Sequence, residues 1–215
     1  SYNTAVGYGA GISITTGDRN TFVGGLAGDG INTGVRNVAL GYGALSAEVK
    51  GNKTVAVGHN ALSTQSNSGS VDTFNVAVGH DAGGLLTTGI ENTLIGGLAG
   101  DALTDADGNV AIGKNALSSD TLGSQSVAIG TFALSAQNFT SATNAYNVAI
   151  GRNAGLNVTT GTVNTLVDGL AGDALTVGNS NVVVGYNALT AEVAGDRNVA
   201  IGTRALLSQT NSSTT

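Results

Sequence analysis

The 215-residue chain contains no cysteine, no proline, no methionine and no tryptophan. Without cysteine there is neither a disulfide framework nor thiol chemistry. Without proline, no residue withholds its backbone N–H from a hydrogen-bonded ladder, which suits a sheet running through the whole chain. Charge is also scarce: eight Lys and Arg stand against fourteen Asp and Glu, for a formal charge of −6. The basic residues are scattered, whereas a nucleic-acid partner requires a clustered basic surface, so that partner class is excluded. No run is long and apolar enough for a membrane span or a signal peptide, so no membrane insertion is expected in this segment.

What the chain does have is glycine, 34 residues of it, and a phrase that returns twelve times. The phrase is Asn, three residues alternating between β-branched and small, Gly, two variable residues, Ala, then Gly or Leu; Asn37 to Leu45 is a clean copy. The phrase Gly recurs from Gly7 to Gly202 at steps of 17, 17, 17 and 21, with Asp168 in its place in the tenth copy. Three coils of 17 and one of 21 make a 72-residue block, giving blocks 3–74, 75–146 and 147–215 within a single solenoid domain, 1–215. A fixed short period marks units that are stable only against their neighbours, and the period-two alternation inside the phrase argues strand. The predicted fold class is all-β, a parallel β-solenoid of about twelve 17-residue coils. Because copies begin almost at one end and the last block is three residues short, a stretch of a longer fibre is expected.

Three positions in each coil predict how neighbours pack. Ala stands three places after the phrase Gly in all twelve copies, so the space there admits a methyl group. The next place runs Gly11, Gly28, Leu45, Leu62 and repeats that order in each block, which requires adjacent coils to pack in step. Asn opens ten copies, with Thr54 and Ser126 in the other two, and at the usual ~4.8 Å strand separation these side chains form a ladder. The flanking strand residues, such as Val38 and Leu40, are assigned to the core. The central row (Ala5, Phe22, Ala39 and their equivalents) then forms a second face too apolar for water. A core this thin leaves little net stability, so further subunits are expected to cover that face. The other half of each coil reads as a second, outward strand and a tight turn.

The phrases Asn109 to Gly113, Ser126 to Gly130, Asn147 to Gly151 and Asn198 to Gly202 resemble the head repeat of trimeric autotransporter adhesins, the YadA type, and the related repeats of bacteriophage fibre proteins. The resemblance implies a left-handed parallel β-roll, three chains side by side, and an adhesive or fibre-forming role. The expected function is a structural and adhesive shaft segment of a phage tail fibre or virion appendage for host attachment. The head of a bacterial surface adhesin, or a localised carbohydrate- or protein-binding module, is the alternative. The expected place is the virion or the extracellular cell surface, and the expected partners are further copies of the chain and a host-surface receptor or glycan.

Chemistry-bearing residues are few. His59 and His80 follow the phrase Gly in successive copies and so stack, but no third ligand shares their register, since the flanking coils offer Tyr42 and Gly97. Asp105, Asp107 and Asn109 are spaced like the opening of a calcium loop, yet the Gly is misplaced and Ala116 stands where a bidentate Glu is needed. No metal, no cofactor and no catalytic residues are assigned. The acids are dispersed, without the groove and paired carboxylates of a glycosidase, so no enzyme is expected. A flat Thr ladder for ice binding is also lacking, because Thr15-Thr16 recurs only once per block. Recognition is expected where the register relaxes, in the longer turns Ser66 to Phe74 and Asn138 to Tyr146, with a third beginning at Ser208. Phe74, Phe139 and Tyr146 are the candidate receptor contacts.

Overall fold

A computed structural model describes residues 2–210 of the chain; the third longer turn runs outside these residues. The strands are short and lie where the phrase places them. In chain order they are Thr4–Val6 (β1), Thr21–Val23 (β2), Val38–Leu40 (β3), Val55–Val57 (β4), Val76–Val78 (β5), Thr93–Ile95 (β6), Val110–Ile112 (β7), Gly123–Ser124 (β8), Val127–Ile129 (β9), Thr143–Asn144 (β10), Val148–Ile150 (β11), Thr165–Val167 (β12), Val182–Val184 (β13) and Val199–Ile201 (β14). All but β8 and β10 form one twelve-stranded sheet in chain order. Every pairing is parallel and joins equivalent phrase positions, as in Val38↔Val55 and Ala39↔Ala56. The chain is therefore a parallel β-solenoid of twelve turns, with one strand of the main sheet in each turn.

The direction of the strand side chains is the reverse of the expectation. The central row is the core: Phe22, Ala39, Leu94, Ala111 and Leu166 are buried, while the flanking Val38, Leu40, Val110 and Ile112 are only half-buried. The cause is volume. A 17-residue coil encloses a narrow interior, which takes one strand side chain per turn and leaves the β-branched pair outside.

The pairwise alternation of Gly and Leu follows from the same limit. Phe22 fills the interior of its own coil and the preceding one. A methyl group on Gly28 would lie 2.6 Å from Phe22 Cε1, and one on Gly11 would lie 2.7 Å from Phe22 Cδ2. Where the central residue is Ala39 or Ala56, the fully buried Leu45 and Leu62 supply the missing volume. Leu94 and Leu166 repeat the role of Phe22 against Gly83 and Gly100, and against Gly155 and Gly172.

The expected second strand does not form, apart from the two-residue pairing of β8 with β10 and a bridge between Asn52 and Asp72. Left-handed corners interrupt extended backbone in each coil; Arg19, Leu26 and Leu45 have φ of 58°, 56° and 54°. Such residues are costly alone. Here the corners stack, and coil-to-coil bonds such as Gly28 N to Ala44 O at 2.9 Å hold them.

Each Asn of the row within the blocks makes two braces. Asn37 Oδ1 accepts from the backbone N–H of Thr54 at 2.9 Å, while Asn37 Nδ2 donates to Gly51 O at 2.8 Å across its own coil. Equivalent bonds recur at Asn92 and Asn109, so the ladder runs mainly from side chain to backbone. It is interrupted at Thr54 and Ser126, where a second row, buried after its half-buried first member, takes over. That row reads Ile14, Ile31, Glu48, Gln65 in the first block and Leu86, Leu103, Asp120, Gln137 in the second. Glu48 accepts the backbone N–H groups of Val49, Lys50 and Gly51 and of Asn67 in the next coil. Gln65 joins Glu48 at 2.9 Å to Asn75 at 2.9 Å, carrying the amide ladder across the longer turn. A buried carboxylate so fully supplied with donors clips the turn in place.

Candidate functional site

The three candidate receptor contacts separate in the structure. Phe74 and Tyr146 occupy the same left-handed corner 72 residues apart, each with φ of 50°, and are 51% and 55% exposed. Lys53 Nζ lies 4.8 Å from the Phe74 ring centroid and also pairs with Asp72. Tyr146 Oη accepts from Asn144 Nδ2 at 3.3 Å. Phe139 differs: it is 6% exposed, with its backbone N–H on Asp120 Oδ1 at 3.0 Å. Its ring closes the corner above Gly123, so Phe139 belongs to the interior rather than to a contact surface.

The members of the calcium-like trio take different hydrogen-bond partners. Asp105 accepts from Thr88 Oγ1, Asp107 accepts from the backbone N–H of Ile90 at 2.8 Å, and Asn109 is committed to the buried ladder.

A row of rings stands just past the C-terminal ends of β3, β4 and β5, one place after the phrase Gly. Tyr42 stacks on His59 at 5.7 Å, and His59 on His80 at 5.1 Å with the planes 6° apart. Next to them Asp81 places Oδ2 3.1 Å from His80 Nδ1. Asp81 sits one place beyond the shared register, which hides it from a search confined to that register.

Asp81 also borders a groove of about 270 Å³, lined with Asn60, Ser63, Thr64, Gly84, Leu85, Leu98 and Asp101. Burial raises the carboxyl pKa of Asp101 above its ordinary value, and the charge of Asp81 adds to the effect. Asp101 Oδ1 has no hydrogen-bond partner in this wall. The fold thus gathers two of the acids that looked dispersed along the chain. No family model, no curated protein and no solved structure matches the chain.

Proposed function

We propose that this chain is a structural and adhesive shaft, a segment of a trimeric fibre of the kind that carries host attachment in a virion appendage or on a cell surface. One observation carries the reading. Both outward positions of every strand in the main sheet are Val, Ile, Leu or Thr, from Thr4 and Val6 to Val199 and Ile201, without a single charge. At the standard strand spacing twelve coils form an apolar stripe roughly 58 Å long. Isolated apolar residues are normal on a surface, but a continuous stripe is the composition of an association face. Parallel copies would match coil for coil, because every coil presents two uncharged side chains of this set at the same pitch.

The shaft role follows from regularity. Uniform coils give length and stiffness, and they present rows of corners, including Phe74 and Tyr146, along the outside. Mass in solution under native conditions tests the assembly: three times the 21.0 kDa of one chain is expected. A stable, soluble monomer or dimer would overturn it.

A second reading, a localised glycan-binding module, draws on the groove between Asp81 and Asp101, where polar side chains and an unpartnered carboxylate oxygen converge. Glycan binding that disappears in Asp101→Ala while the fold is retained would favour this module over a purely structural shaft.

A further inference from the structure

We propose that His59, His80 and Asp81 form a binding site for one divalent transition-metal ion of the zinc class. These are the only two histidines in the chain, and both occupy the same place in successive coils. Imidazole nitrogen and carboxylate oxygen are the donor types that zinc takes at about 2.0–2.2 Å, which sets ligand atoms of a tetrahedral ion roughly 3.3 Å apart. His80 Nδ1 and Asp81 Oδ2 stand at 3.1 Å, already at that spacing. One ligand atom from each of the three residues lies within 4.8 Å of the others. The His59 and His80 rings lie 6° from parallel, so closure requires the exposed His59 ring to tip towards the pair.

Backbone holds these ligands in step. The N–H of Asp81 bonds His59 O at 3.0 Å, and the N–H of Leu98 bonds His80 O at 2.9 Å, so the two coils cannot slip past each other without breaking the ladder. Tyr42 stacked on His59 limits the swing of that ring on its far side. Two imidazoles and one carboxylate leave a fourth position for water, as in an open zinc site.

The position of the site gives it a role. His59 precedes the first longer turn and His80 follows it, so an ion held by both staples the first block to the second. It does so where the Asn row is interrupted by Thr54 and the amide ladder detours through Gln65. At the next block junction the equivalent places hold Thr131 and Arg152, which supply no such donor pair.

Titration of the full chain, free of any histidine tag, with Zn²⁺ tests the site, and Co²⁺ serves as the spectroscopic probe. One Zn²⁺ per chain is expected, with tetrahedral cobalt absorption and a melting temperature that rises with Zn²⁺. His59→Ala and His80→Ala should each weaken binding about tenfold or more, and Asp81→Asn by a similar factor. Circular dichroism should show the fold intact, because both rings are exposed. Lack of saturable binding by the wild-type chain would overturn the proposal. Equal affinity in the double variant His59→Ala/His80→Ala would overturn it as well.

Discussion

A single position shows how tightly the coil constrains its residues. The phrase Gly has φ near 130°, and a methyl group on Gly24 would lie 2.6 Å from Gly41 O in the next coil. Asp168 occupies this place in the tenth coil at φ of 100°, a region L residues rarely enter. Its carboxylate turns back to accept the N–H of Gly169 at 2.7 Å, a local bond that offsets part of the strain. Asp168→Gly should therefore raise stability by about 1 kcal/mol, the relief of strain exceeding the extra chain entropy of glycine. Thermal unfolding checks this, and an unchanged or lower melting temperature would count against it. The alanine place was legible in the sequence because it holds one size in all twelve copies, and the phrase Gly because only Asp168 departs from it. The inward direction was not, since period-two alternation separates two faces without saying which is enclosed. Phe22 held the clue, as the largest central residue and the one flanked by Gly11 and Gly28.

At the scale of the coil, stability rests on amide braces as much as on apolar contact. Asn109 Oδ1 accepts the N–H of Ser126 at 2.9 Å, and its Nδ2 donates to Gly123 O at 2.9 Å. Asn109→Ala leaves both backbone groups without that partner in a buried row, at a cost of about 2–4 kcal/mol. Urea unfolding measures the loss; a change below about 1 kcal/mol would mean that neighbouring groups take over the bonds. The ladder could be read from the recurrence of Asn, but the buried Glu48–Gln65 and Asp120–Gln137 pairs could not. The carboxylates are held largely by backbone N–H groups, which leave no trace in side-chain composition, and the Gln side chains only link them on to the ladder. The only available signal was recurrence of acid and Gln at 72 residues, which also places Glu192 and Gln209 in the third block. In the same way Asp81 escaped notice beside His80, because corner geometry, rather than register, brings the carboxylate to the ring.

For the whole molecule, the reversal of inside and outside changes which surface would make the fibre. The central row, expected to need a partner, is satisfied within the chain, and the unsatisfied apolar surface is the flanking row. If the outward face binds other copies, charge placed at its middle should block association without harming the coil. Ile112 and Ile129 are paired neighbours in β7 and β9, half-buried and directed away from the interior. Ile112→Lys combined with Ile129→Lys sets two like charges side by side on that face, where burial against another chain would leave them unpaired. The sheet hydrogen bonds and the interior row of Ala111 and Ala128 are untouched by the change. The expected result is a fall in native mass to the 21.0 kDa of one chain, with the β-rich circular dichroism of the wild type retained. Persistence of the wild-type mass would place the association surface elsewhere. Loss of the spectrum on dissociation would mean that the coil depends on its partners to fold.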